Sequence, residues 1–206
     1  MYMKTAYLLL PLLALFLGCS PAATNTPPAT FDASSNKGLA IGTLTFEADV
    51  PVNDIYRFFY EAQSGDKSFK KQNSGKIVIK ARENNTSAFN GDFNNKKTYL
   101  IVLERDPGNY AFTQYSFLDH IGSNGMVSDS KKFGIPFEVK KGEITYFGEL
   151  SYLDQAQKGT PRIYVAGYKD RDIAEFKRKF PSIDWDKAID RTPKTGNNGE
   201  GIIDFR

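Results

Sequence analysis

Through most of this chain the apolar residues recur at every second position, and that period commits it to strands. Leu44, Phe46, Ala48 and Val50 alternate with Thr43, Thr45, Glu47 and Asp49, the pattern of a strand with one face in a core and the other in water. The stretch from Ile55 to Tyr60 follows the same logic. Ile77-Val78-Ile79 and Tyr99-Leu100-Ile101-Val102-Leu103 are continuous apolar runs rich in branched residues, as expected of central strands covered on both faces. Asp106-Pro107-Gly108-Asn109 is a turn, because proline presets one turn dihedral and glycine or asparagine accepts positive φ. It leads into a strand over residues 109–117 whose aromatic phase moves from even to odd positions, which predicts a bulge near Gln114.

Phe133, Ile135, Phe137 and Val139 alternate up to Lys140-Lys141-Gly142, and Ile144, Tyr146, Gly148 and Leu150 alternate away from it. This pattern predicts a hairpin. Pro136 has no amide to donate, so its strand belongs at an edge or carries a bulge. A last strand is expected from Arg162 to Tyr168. Repeated strands with short turns and no helical spacers predict a mainly β fold, an antiparallel β-sandwich or barrel, with the sandwich as the expected form.

Helix is expected only near the C-terminal end, as a short helical hairpin. Asp172-Ile173-Ala174-Glu175 fits a capping box with Asp172 as the cap. Ile173, Phe176 and Phe180 then share one face, and Pro181 stops the helix. A second short helix over residues 182–189 offers Trp185, Ala188 and Ile189 as its apolar side. The pair reads as a cap on an open end of the sandwich, with a docking surface presented by Trp185 as the alternative. Thr195 to Gly201 reads as a flexible tail, after which Ile202, Ile203 and Phe205 add a final edge strand.

At the other end, Lys4 precedes an apolar run from Ala6 to Leu17, followed at once by Gly18-Cys19-Ser20, which holds the only cysteine. A run of about 12 residues broken by Pro11 is short of the ~20 needed to span a bilayer, and it fits the parts of a secretion signal. Phe16-Leu17-Gly18-Cys19 resembles the lipobox of bacterial lipoproteins. That family usually carries leucine three positions before the cysteine and a small residue two before it, where Phe16 and Leu17 stand here. The resemblance implies lipidation of Cys19, with diacylglycerol on its sulfur and an acyl chain on the amino group freed by cleavage. Its partner is then a membrane, and Ser20 matches the pattern of lipoproteins sorted to the outer membrane of the bacterial envelope. Read without the resemblance, Cys19 is an ordinary residue near the end of a plain secretory signal. Ser20 to Thr30, rich in proline and small polar residues, cannot bury enough surface to fold and reads as a spacer. The expected organisation is a signal over 1–18, a linker over 19–37, a sandwich over 38–169, a helical appendage over 170–192 and a tail over 193–206.

A second resemblance rests on Pro107-Gly108-Asn109-Tyr110-Ala111-Phe112 and on the stretch from Phe133 to Leu150. These are similar to uncharacterised bacterial lipoproteins with prealbumin-like or carboxypeptidase-regulatory-like β-sandwich domains. The shared positions are turn and core residues, so the resemblance implies a fold and carries no catalytic positions.

Function is narrowed mainly by exclusion. The composition, 40% hydrophobic and 14% aromatic, is that of a globular domain. The formal charge of +3, less the one charge of Lys4 if the signal is removed, lacks the basic footprint of nucleic-acid binding. Beyond Cys19 no thiol is available for disulfides or nucleophilic chemistry. His120 is the one histidine; it stands beside Asp119 and near Ser116 and Ser123, but Gly122-Ser123-Asn124-Gly125 has the wrong spacing for a nucleophile elbow. It reads as an ordinary loop residue, and one histidine cannot assemble a zinc site. Asp184, Asp186 and Asp190 lack the spacing and glycine of an EF-hand and read as solvated carboxylates. Asn84-Asn85 and Asn94-Asn95 read as hairpin loops, which are also where binding sites sit. No cofactor, metal or catalytic set is expected. Three function classes remain: a non-enzymatic envelope lipoprotein that binds a protein or glycan partner or serves as an accessory subunit, a hydrolase whose carboxylate pair meets only in the fold, and a lipocalin-like carrier with an apolar cavity. The first requires nothing the sequence lacks.

Overall fold

A computed structural model describes residues 27–83, 86–121 and 124–206. The strands are β1 (Gly38–Phe46), β2 (Ile55–Ala62), β3 (Gly75–Lys80), β4 (Arg82–Glu83), β5 (Thr86–Ser87), β6 (Thr98–Arg105), β7 (Gly108–Ile121), β8 (Asn124–Asp129), β9 (Ile135–Val139), β10 (Ile144–Tyr152), β11 (Ile163–Ala166), β12 (Ile189–Asp190) and β13 (Ile203–Phe205). With them come helices α1 (Lys67–Asn73) and α2 (Lys169–Lys179) and a 3-10 turn, Trp185–Lys187. β4 and β5 form a small ribbon of their own.

Two larger sheets make a sandwich-like, mainly β fold. One is ordered β13-β11-β10-β1-β6 with β12 also on β10; the other is β3-β2-β7, and β7 is long enough to carry both β8 and β9 on its far side. The five-stranded sheet is antiparallel throughout. The six-stranded sheet departs from the antiparallel expectation, because β1 and β12 run parallel to β10 and β13 runs parallel to β11. Parallel neighbours need a long crossover, and the crossover from β1 to β10 includes the whole of the second sheet.

The hairpin expected around Lys140-Lys141-Gly142 does not form. β9 pairs with β7 in one sheet and β10 with β1 in the other, so the turn closed by Glu143 N–H on the Lys140 carbonyl at 3.1 Å is a corner between sheets. Alternation reports which face of a strand is buried and says nothing of its partner, so an arch and a hairpin look alike in sequence. The alternation of β10 also breaks. Ile144 and Tyr146 face outward, while Phe147, Leu150 and Tyr152 enter the space between the sheets. Gly148, with φ +95, sits where the β1–β10 register slips, a bulge that a side chain would strain.

The inter-sheet core is aromatic and filled. Tyr152 has its ring centre 5.2 Å from Tyr115, 5.6 Å from Phe58 and 5.7 Å from both Tyr56 and Phe46. Phe137 and Phe147 continue the stack from the five-stranded to the six-stranded sheet. A second core lies on the outer face of the six-stranded sheet, where Ile173, Phe176, Ile183, Trp185 and Ala188 cover Leu39, Ile41, Leu100, Val102, Ile144 and Tyr146. This third layer explains why all nine residues of β1 are buried, including Thr43 and Thr45, which the alternation places in water. β1 also ends at Phe46, leaving Val50 exposed.

The helical segment corrects the sequence reading in three ways. It is one helix and one 3-10 turn in place of a hairpin, and it lies over a sheet face rather than capping an end. Tyr168 occupies the cap position, so Asp172 is inside the helix. Trp185 is fully buried, which removes it as a docking surface, whereas Ile189 is exposed in β12. β3 and β6, both read as central, are edge strands; β3 has Val78 half-buried, whereas Tyr99 to Leu103 of β6 are covered on both faces. The bulge near Gln114 is present as a register slip opposite Phe59 and Tyr60, and Pro136 is exposed on the edge strand β9. Phe31 packs against the second core, and the Lys37 carbonyl accepts the Gly142 N–H at 2.8 Å. The chain is therefore fixed to the sandwich from Phe31 onward.

Candidate functional site

The tail returns along the edge of β9. Gly134 and Asn197 exchange backbone hydrogen bonds of 2.8 and 3.0 Å, so the stretch read as flexible is tied to the five-stranded sheet. Pro136 turns outward at this edge and offers no amide, which keeps a further strand from closing against it. Gly196 lets the tail come close, since a Cβ there would stand 2.3 Å from the Gly134 carbonyl oxygen. Between the start of β7, β9 and residues 191–197 lies a groove of about 640 Å³. Gln63, Asn109 and Asn197 bring amides to it, Ala111, Pro136 and Pro193 give it apolar surface, and Glu138 and Arg191 complete its wall. Arg191 is held 3.0 Å from Glu138 and 3.6 Å from Glu143, so its charge is balanced within the wall. Amides that both donate and accept, beside small apolar patches, suit an uncharged polar ligand such as a sugar or an extended peptide.

The structure also brings two carboxylates together, Glu149 and Asp172. Arg171 donates to Asp172 Oδ1 at 2.8 Å and to Glu149 Oε2 at 2.5 Å. Thr43 and Tyr146 hydroxyls donate to Asp172 Oδ2 at 2.9 and 2.7 Å. Thr45 donates to Glu149 Oε2 at 2.7 Å and Ser151 to Oε1 at 2.8 Å. The guanidinium lies over the rings of Tyr168 and Phe93, 4.5 and 5.5 Å from their centres. Burial raises the Asp172 carboxyl above its ordinary value, against the opposing pull of Tyr146, Arg171 and Thr43. Burial and the neighbouring Asp172 push the Tyr146 phenol up as well. A glycosidase pair needs room between its carboxyls for the sugar; here Arg171 occupies the gap. The arrangement is a clamp that fastens α2 to the sheet. Its signal in the sequence is the polar phase of Thr43 and Thr45, which reads as a solvent face until the helix that covers it is known.

The residues singled out by sequence are scattered. Cys19, Asn84, Asn85 and Ser123 lie outside the described residues. His120 stands on β7 opposite Gly125; Asp119 is 3.5 Å from Arg82, and Ser116 is buried. Asn94 and Asn95 form a left-handed turn, each with φ 53. Asp184 pairs with Lys187 at 3.2 Å and Asp186 with Lys177 at 2.7 Å, while Asp190 accepts from Thr192. Among the described residues, no three histidine, cysteine or acidic side chains are grouped to hold a metal ion. In comparisons with family models, curated proteins and solved structures, nothing matches this chain.

Proposed function

We propose that this chain is a lipid-anchored lipoprotein of the bacterial envelope, held at the outer membrane through Cys19, whose folded part is a non-enzymatic binding module. The observation that carries the binding role is the groove between β7, β9 and the returning tail, with its amide-rich and internally neutralised wall. The hydrolase reading is weakened by Arg171, which fills the gap of the carboxylate pair. The carrier reading is weakened by the aromatic rings that fill the space between the sheets. A protein segment or glycan of the envelope is the ligand class the groove supports.

The anchor is tested by metabolic labelling with a clickable palmitate. Label is expected on the full chain and is expected to vanish in Cys19→Ala; label persisting in that variant ends the lipoprotein reading. The groove is tested by placing a photocrosslinking residue at Asn109, or at the exposed Val50 on a loop outside it, in intact cells. Discrete adducts are expected from position 109 alone, and they should disappear when Asn197→Trp fills the groove. Equal adducts from both positions would show a sticky surface rather than a site.

A further inference from the structure

The tether enters the sandwich at an end rich in lysine. Lys37 sits on the turn that contains Lys140 and Lys141, because its carbonyl accepts the Gly142 N–H. Val139, the residue before that turn, pairs with Gly108 at the start of β7, and Phe69 of α1 approaches Gly108. Asn73 at the end of α1 donates to Asp106 at 3.0 Å on the neighbouring turn. These contacts put Lys67, Lys70 and Lys71 of α1 at the same end of the molecule as Lys37, Lys140 and Lys141.

The cations there are largely unneutralised. Lys37, Lys67, Lys70, Lys71 and Lys141 are exposed and take part in none of the ion pairs found among the described residues; Lys140 is 3.6 Å from Glu138. The nearby carboxylates keep their charge, but among the described residues none forms an ion pair with these five lysines. Asp66 caps α1 on the Phe69 N–H, Asp32 accepts from Ser34, Asp106 takes Asn73 and Glu143 faces Arg191. Glu104, half-buried at the end of β6, and Asp184, which pairs with Lys187 at 3.2 Å in the hollow that also holds Asp32 and Glu143, are further acids at this end.

The location of the patch is tied to the anchor. Phe31, the first residue packed on the domain, lies at this end beside Gly142, since Ala33 meets the glycine directly. Covalent geometry limits the chain from Cys19 to Phe31 to about 40 Å, so a membrane holding residue 19 lies within reach of these lysines. We propose that this end of the sandwich docks on an anionic lipid surface, with the lysine side chains against headgroup phosphates. The proposal rests on the membrane-held N-terminus proposed above. It adds an orientation, in which the loops at the opposite end of the strands point away from the bilayer.

The test uses the full chain in a Cys19→Ala background, which separates docking from lipidation, added from solution to preformed vesicles. A fluorophore is placed on a cysteine at the exposed Ser68 of α1 or at the exposed Val50 of the opposite end, and quenching by headgroup-labelled lipid is read. At Ser68, strong quenching is expected on phosphatidylglycerol-containing vesicles at about 0.1 M salt, where charges act over ~10 Å, and little at about 1 M, where they act over ~3 Å. At Val50 none is expected. Each lysine near such a surface strengthens binding about fivefold, so replacing Lys67, Lys70 and Lys71 by glutamine should weaken the docked state about a hundredfold. Quenching equal on pure phosphatidylcholine, equal at both positions, or unchanged in the triple variant would overturn the proposal. Absence of palmitate label on the wild-type chain, with quenching intact in this background, would instead remove the lipidation and leave the docking.

Discussion

Asp172→Ala is expected to destabilise the protein by about 3 kcal/mol, because it deletes one partner of a buried ion-pair network and leaves the others without an acceptor. Arg171 would keep Glu149 but lose Asp172, and the Thr43 and Tyr146 hydroxyls would lose the oxygen they both donate to. The figure is set at the low end of the usual range because Arg171 is 41% exposed and water can replace part of what it loses. Chemical denaturation of wild type and variant checks it. A change under 1 kcal/mol would mean that the clamp does not hold α2. A pH series with Asp172→Asn isolates the charge. The folded carboxyl sits above its ordinary value of 3.8, so the folded state holds the proton more tightly than the unfolded chain does. The contribution that comes from this raised value is therefore fully present below the unfolded value and is lost as pH rises through the folded one, separately from the contacts that Asp172→Ala removes. Wild type should decline relative to Asp172→Asn across that rise; a decline on acidification instead would reverse the sign assigned to burial.

Both cores depend on positions whose role the alternation of a single strand cannot reveal. Leu44 and Phe46 are legible as core because a two-residue period marks a buried face. The opposite face, Thr43 and Thr45, is polar in sequence and buried in the fold, because α2 brings Arg171 and Asp172 to meet it. Polar residues at a face normally mark solvent, and only the distant helix tells the two cases apart. The continuous run Tyr99 to Leu103 did carry that information, since a strand apolar on both sides announces a sheet with two covered faces. Taken with Ile173 and Phe176 on one side of α2, it already contained the layer order. What it lacked was the pairing. Arches such as Lys140–Glu143 and Asp106–Gly108 use the same turn residues as hairpins, and the choice between them is made by core volume between the sheets, where Phe112, Phe137 and Phe147 meet. The groove was the least legible feature. Its residues come from β7, β9 and the tail, and each is unremarkable alone; Pro136 was the one signal, marking an edge against which something other than a strand would have to lie.

Trp185→Ala is expected to cost about 3–5 kcal/mol, the range for emptying a large aromatic from a packed core. The indole is fully buried. It lies 5.0 Å from the Phe176 ring and 6.4 Å from the Phe180 ring, and its N–H donates to the Phe180 carbonyl at 2.7 Å. That bond ties the 3-10 turn to the end of α2, where a helix leaves carbonyls without intrahelical partners. Removing the ring opens a cavity and frees the carbonyl at once, so the outer layer should loosen before the sandwich does. Hydrogen exchange checks this order: the amides of Ile173 and Phe176 should lose protection in the variant at denaturant concentrations where those of β2 and β7 keep theirs. Uniform loss across both cores would show that the three layers unfold as one unit. The wild type supplies its own control, because Trp185 is the single tryptophan. Its emission should be blue-shifted and resist acrylamide quenching. Ready quenching in the native protein would place the indole at a surface, restoring the docking role that the packing against Phe176 removes.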